Sequence, residues 1–301
     1  MATDNQPDAE LQKLAEPVQF DDADIVLQAC GVDFRVHKLI LSHASSVFKD
    51  MFSLPRNCST LQEGIPIVEV TEDAQTMHDV LSLIYLNTHG VDLDELSTLQ
   101  RVLLAPRKYS MDNLHSMIGE ILRSHANSDP IHVFVVACIT NHPEIAHLAA
   151  KEILKFDYMH IINAPEIHRV RASALCKLLR YHHACGERAS KTIDQRTILC
   201  PVARHNDPYI RQSGNLMVDC RELWWDGYID HIKQQVKFIP LQADFNSVGL
   251  IRRFSDATKY FSACKMTAFQ NLVELGEQLR MQVQEAIAVV QLGLDDDDFL
   301  S

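Results

Sequence analysis

Glycine and proline are scarce in this chain, with ten glycines and eleven prolines among 301 residues, against the roughly 7% and 5% that average chains carry. So few breakers exclude a turn-dominated architecture and point to a helix-rich one. Long apolar runs are missing as well. The longest stretches, such as Val133 to Ile139, fall far below the roughly 18 residues that a membrane-spanning helix needs, so no membrane crossing is expected. Basic charge is in deficit: 28 Lys and Arg stand against 40 Asp and Glu, a formal net charge of −12. Nucleic-acid binding relies on clustered cations that displace counterions from phosphate. Direct contact with DNA or RNA is therefore not expected.

Catalytic signatures are lacking too. No GxSxG elbow, HExxH helix, Walker loop or GxGxxG turn occurs, which removes motif support for the common activated nucleophiles, zinc hydrolases and phosphate cradles. Neither enzymatic activity nor a cofactor is expected. The first seventeen residues, with Asp4, Asp8, Glu10 and Glu16, lack the apolar centre of a signal peptide, so a cytoplasmic or nuclear location is expected. In such a compartment the eight cysteines read as thiols rather than disulfides, and the sequon Asn57-Cys58-Ser59 has no glycosylation to direct.

What is present suits a globular chain long enough for two domains, with 47% hydrophobic and 23% charged residues. Residues 1–17 are polar and flanked by Pro7 and Pro17, and are expected to form a disordered tail. Ile25-Val26-Leu27, a turn at Cys30-Gly31 and the alternation Val32, Phe34, Val36 predict a β-hairpin. Leu39, Ile40, Ala44, Val47, Phe48, Met51 and Phe52 follow at helical spacing. Ile67 to Val70 predicts a third strand, and Met77, Val80, Leu81, Ile84 and Tyr85 an amphipathic helix. Two more helices are expected around Leu96 to Leu103, behind capping-box-like spacing at Asp92 and Glu95, and around Leu114 to Leu122. From Pro130 on, the pattern is helical: 133–139, 145–156, 165–185, 216–238 and 255–292, with prolines near the breaks. The last helix sets Phe261, Ala268, Leu272, Leu275, Leu279, Ala286 and Val290 near a three-four repeat, interrupted at Gly276 and Gln282, which favours packing within the chain over a coiled coil.

Asp24-Ile25-Val26-Leu27, Phe34-Arg35-Val36-His37-Lys38-Leu39-Ile40-Leu41 and Ser45 through Phe52 resemble the start of a BTB/POZ domain. The resemblance extends through Val68-Glu69-Val70, Ile84-Tyr85 and Lys108-Tyr109-Ser110-Met111-Asp112-Asn113-Leu114, and covers about residues 18–127. Pro106 departs from the family pattern, and a kink or early helix end is expected there. Leu175 through Gly186 resembles, more loosely, the helical extensions of fungal BTB proteins. The resemblance implies an α+β domain, a small sheet with a helical cluster, at 18–127, and the residue pattern adds an all-α extension at 128–294 and an acidic tail at 295–301.

It further implies a protein-interaction module that forms homodimers or heterodimers with another BTB domain, with Ile25, Leu27, Leu39 and Met51 near the dimer surface, although periodicity alone does not separate interface from core. Asp24 and Lys38 match the family's charged pocket; the alternative is that Asp24 caps a turn and Lys38 is a surface cation. Leu61-Gln62-Glu63 resembles the hydrophobic-x-Glu motif that contacts a cullin, which would make the chain a substrate adaptor for a ubiquitin ligase. Two other readings stay open: an oligomerising scaffold or transcription-associated regulator without a cullin, and a zinc-stabilised protein. Zinc would need four convergent ligands. His182, Cys185, Cys200 and His205 offer imidazole and thiolate at irregular spacing, with Cys220 and Cys264 as single thiols elsewhere. Arg252-Arg253-Phe254-Ser255 offers either a phosphorylation site at Ser255 or a plain helix cap. Asp295 to Asp298, beyond a helix C-terminus and repelled by its dipole, is expected to fray into solvent.

Overall fold

The computed structural model describes residues 18–54, 61–62, 64–85, 91–193, 226–245 and 265–299. The chain divides into two compact units. One comprises the residues up to Asp129 together with Ile139–Ile145, the other Pro130–Cys138 together with the residues from Ala146 on.

The first unit is built on strand β1 (Ile25–Ala29), whose Ile, Val, Leu and Ala are fully buried. A near-continuous apolar strand of this kind needs cover on both faces. β1 pairs antiparallel with β2 (Val32–Val36), Leu27 opposite Phe34. The turn between them is carried by Cys30 and Gly31 at φ of 47° and 83°. Two positive φ values make a primed turn, whose twist matches that of the strands it joins. On its other edge β1 runs parallel to β4 (Ile65–Val70), with β3 (Leu61–Gln62) outermost, giving the order β2-β1-β4-β3. The free edge of β2 is covered by Gln19 and Phe20: the Phe20 amide donates to the Arg35 carbonyl at 3.1 Å, and the Gln19 amide group to the Asp33 carbonyl at 2.6 Å. Covering an edge in this way removes unpaired backbone groups.

The parallel β1–β4 pairing requires a crossover, and it carries α1 (Lys38–Ala44) and α2 (Ser46–Ser53). One buried serine joins these helices. Ser45 ends α1, its hydroxyl accepts from the Phe48 amide at 3.0 Å to cap α2, and the same hydroxyl donates to the Tyr109 carbonyl at 2.6 Å. Helix α3 (Ala74–Ile84) is capped by Asp73, which accepts from the Thr76 amide at 2.8 Å. Helices α4 (Leu96–Lys108) and α5 (Asp112–Ser124) follow. Glu95 is the N-cap of α4 but makes no side-chain cap bond. Pro106 neither bends the chain out of the helix nor stops it: α4 continues to Lys108. A proline in the last turn sacrifices a single bond, and the Pro106 carbonyl accepts the Met111 amide at 2.7 Å.

No strand occurs among the described residues of the second unit. Helices α6 (Pro130–Thr140) and α7 (Pro143–Ile153) both begin on proline, which suits the first helical position because its missing donor has no partner to lose there. α6 is apolar all round, and Val133 to Ala137 have no exposed surface. The single helix expected over 165–185 starts only at Ala172, and a separate short helix precedes Pro165. α8 (Tyr158–Asn163) is capped by Asp157 and ends at Ala164, held at ψ 127°, because a residue before proline avoids the helical region. α9 (Ala172–Thr192) starts after a short 3-10 turn, Ile167–Arg169.

Helix α9 packs against α10 (Asp226–Phe238) and α11 (Lys265–Ala288). α10 buries Ile229, Ile232 and Val236. α11 buries Leu279, Val283 and Ile287 at i, i+4 and i+8, a stripe one position from the expected Ala286 and Val290, which are half-buried. Leu275 is also half-buried, Gly276 is buried and Gln282 exposed, while Phe261 lies outside the described residues. Among the described residues no helix is long and apolar enough to cross a membrane.

The approach of α9 to α10 is set by Gly186, where an added Cβ would stand 2.3 Å from the Lys237 carbonyl oxygen. Backbone cannot yield there as a side-chain tip can. The substitution Gly186→Ala is expected to cost about 1–3 kcal/mol, as overpacking does, seen as a lower denaturant midpoint. An unchanged midpoint would mean that the helices can separate freely.

Candidate functional site

The corner where β2 enters α1 carries most of the sequence-derived candidates. His37 is the N-cap of α1 but offers no side-chain cap bond. Asp24, just ahead of β1, supplies it: its carboxylate accepts the Lys38 backbone amide at 2.7 Å. Within the chain, Asp24 and Lys38 therefore form a helix cap, with Asp24 exposed and Lys38 half-buried, and not an enclosed charge pair. One residue on, Leu39 is 81% exposed, while Leu41 is fully buried on the opposite side of the helix. In α2, Phe48 is buried, Met51 and Phe52 are half-buried, and Leu54 just beyond is exposed.

Of the four dimer-surface candidates, Leu39 and Met51 thus present surface. Ile25 and Leu27 do not: both are enclosed by the chain itself, because β1 is paired on two edges and covered on two faces. Periodicity could not distinguish these cases, since a strand buried on both sides and one awaiting a partner carry the same apolar run.

A cluster that sequence reading missed stands beside this corner. Phe20 stacks on Tyr85 with ring centroids 4.7 Å apart, and His37 lies 5.0 Å from Phe20. The His37 amide donates to the Tyr85 hydroxyl at 2.9 Å, and its imidazole bridges from that hydroxyl to Asp22 at 3.1 Å. The bond to His37 holds the Asp22 carboxyl below its usual range. Residues 20, 37 and 85 are too far apart in sequence for any local pattern to link them.

At the base of α2, Tyr109 stacks on Phe48 at 4.6 Å and donates to Glu72, which also accepts from Lys108 at 2.5 Å. Burial opposes ionisation of Glu72, but the Lys108 and Tyr109 hydrogen bonds outweigh it and hold the carboxyl low. The "Lys-Tyr" pair of the recognised segment is therefore structural: it ties α4 to the turn after β4.

A cleft of about 320 Å³ lies between α5 and the segment 141–145 of the same unit. His115 and His142 stack there at 4.1 Å, and Asn141 adopts a φ of 62°. Arg123 is engaged by Glu120 at 3.4 Å and by Glu144 at 3.3 Å. Burial, and the neighbouring His115, push the His142 imidazole down to about 4.

His182 is fully buried; its Nε2 lies 2.8 Å from the Phe156 carbonyl, and its ring packs on Tyr158. Cys185 is buried one turn on, where burial pushes its thiol up to about 11. Cys200, His205, Glu63 and Ser255 lie outside the described residues, and Leu61 is placed only as a strand residue opposite Pro66. Among the described residues, no three His, Cys, Asp or Glu gather as a metal site would require.

The acidic run does not fray. Asp296–Asp298 forms a 3-10 turn in which Asp295 and Asp298 cap each other. Lys177 on α9 donates to Asp295 at 2.7 Å and to Asp298 at 2.6 Å, and Arg171 donates to the Asp297 carbonyl at 2.7 Å. Phe299 is buried behind them. Dipole repulsion from α11 is overridden because seven residues, 289–295, separate its end from the turn and lead the run to cations on another helix. The signal available in sequence was the Phe-Leu that follows the aspartates, since a solvated tail has no use for apolar residues.

Residues 11–126 match the family model for the BTB/POZ domain. No curated protein matches this chain. The BTB/POZ domain is a protein–protein interaction module, typically without enzymatic activity, and the α+β unit followed by helices fits it.

His142 gives a pH test of the first unit. Its folded value, about 4, lies below the ordinary 6.5, so below pH 6.5 the unfolded chain takes up a proton that the folded one refuses. Stability is expected to fall as pH drops from 6.5 towards 4. In His142→Gln, the loss of stability over that window should be shallower in denaturant titrations at pH 7 and 4.5. Equal losses would contradict this assignment.

Proposed function

We propose that this protein is a non-enzymatic interaction module that self-associates through the outer surface of α1 and α2, and that its helical extension selects a second protein. The observation that carries the proposal is Leu39: it is 81% exposed on a seven-residue helix, with Leu54 66% exposed after the next, inside the region that matches an interaction domain. Burying a leucine side chain fully contributes about 1.5–3 kcal/mol. A twofold pairing would count that gain twice, because the same patch serves both subunits.

The ubiquitin-ligase role extends this reading. Leu61 and Glu63 would contact a cullin, and the helical extension would hold the substrate. Its support is the Leu-x-Glu triplet next to β4 and the family match that contains it. A cytoplasmic or nuclear location accompanies the proposal.

Light scattering of the full chain is expected to report a dimer, and Leu39→Asp a monomer with an unchanged circular dichroism spectrum. A monomeric parent chain would overturn self-association. Affinity purification of the tagged chain is expected to recover a cullin stoichiometrically, with recovery lost in Leu61→Ala/Glu63→Ala. A dimer that recovers no cullin would leave a scaffold and remove the adaptor role.

A further inference from the structure

The acidic turn at residues 295–298 and the start of α9 form an electrostatic contact that borders an exposed serine. Ser173 is the second residue of α9 and is exposed. Lys177 stands four residues on, so both project from one face of the helix. The Asp298 side chain that Lys177 holds is fully enclosed. Its Oδ2 accepts from Lys177 and from the Asp295 amide at 2.9 Å, whereas Oδ1 is buried without a full hydrogen bond. Burial opposes the charge on Asp298, but Lys177, the Asp295 amide and the nearby Ser173 hydroxyl outweigh it and keep the carboxyl ionised. Two carboxylates, Asp295 and Asp298, thus share the Lys177 ammonium, Arg171 holds the Asp297 carbonyl, and the buried Asp298 carboxylate lies beside the Ser173 hydroxyl. Ahead of that hydroxyl stand Arg171 and Arg169, two and four residues back, in Arg169-Val170-Arg171-Ala172-Ser173. Val170 and Arg171 are extended at ψ 155° and 142°, and Ser173 follows in the first turn of α9.

We propose that Ser173 is a phosphorylation site for an arginine-directed protein kinase, and that its phosphorylation releases the 295–299 segment from α9. In the transfer, the Ser173 oxygen bonds to the γ-phosphorus of ATP as the bond to the β-phosphate oxygen breaks. ADP leaves, and the hydroxyl proton passes to the base of the kinase. The product carries about −1.5 to −2 charge beside a carboxylate that has no room to move within its site. It also competes for Lys177 on its own helix face and gains from the positive end of α9. Both effects stabilise the phosphate where it stands and destabilise the docked acidic turn. Release would expose Phe299 and Leu292, now 4% and 6% exposed, as new apolar surface. It would also withdraw Asp298 from the field around the buried Cys138 thiol, which burial and, to a lesser degree, that carboxylate push up to about 12.

The test uses the full-length chain, incubated with an arginine-directed kinase and ATP, and in parallel carrying phosphoserine installed at position 173 during synthesis. Phosphate is expected on Ser173 of the parent chain, with no incorporation at this position in Ser173→Ala. Amide hydrogen exchange over residues 291–299 is expected to speed up at least tenfold in the phosphoserine chain, and alkylation of Cys138 to accelerate with it. Lys177→Ala should produce the same faster exchange without phosphate, while Ser173→Ala keeps parent-like exchange and shows that the fold is intact. Unchanged exchange over 291–299 in the phosphoserine chain would overturn the release. Absence of kinase transfer to Ser173 would overturn the site.

Discussion

Strand β1 is paired on both edges and buried on both faces, and the first unit follows from satisfying those four demands at once. Five residues, four of them aliphatic or small and without exposure, offer no polar face to water, so each side needs its own cover. The antiparallel edge is closed cheaply by a two-residue primed turn. The parallel edge cannot be, because a chain returning in the same direction must cross over. That crossover contains α1 and α2, and it is the reason Leu39 sits outside the core. α1 begins immediately after β2 and is capped by Asp24, the residue ahead of β1, which leaves no freedom to turn Leu39 inward while Leu41 fills the interior.

The second unit depends on α9 in a comparable way. From its N-cap Arg171 through its 21 residues it meets the acidic turn through Arg171 and Lys177, holds His182 against the Phe156 carbonyl, and admits α10 at Gly186. Lys237, whose carbonyl faces Gly186, also pairs through its ammonium with Glu187 at 2.6 Å, so the closest backbone approach is flanked by an ion pair. Exposed pairs contribute little by themselves; the glycine contact sets the distance and the pair only accompanies it.

Elements with strong periodicity were legible in the sequence. The hairpin with its Cys30-Gly31 turn, the strand before Val70 and the helices around Met77 and Leu99 all follow from apolar spacing, and the segment resemblance identified the domain that the family match covers. Less legible were features decided by partners distant in the chain. Pro106 looked like a helix end because proline loses a bond, but two residues from the terminus the loss is small. The acidic run looked solvated because its charges repel the preceding helix, yet Lys177 lies 118 residues away from Asp295 in sequence and close to it in space. Leu39 and Leu27 looked alike as apolar residues; one lies on the surface and the other in the core, and only the strand order separates them.

The proposed function turns on the outer surface of α1 and α2 as the place where this chain would meet a second copy. Hydrogen exchange of the full-length chain, measured across a wide range of protein concentration, tests it most directly. Protection that rises with concentration over residues 38–53, while the core strand β1 stays equally protected throughout, is the predicted result. Exchange over 38–53 that does not depend on concentration, in a chain that light scattering shows to be associated, would place the interface elsewhere and contradict the account.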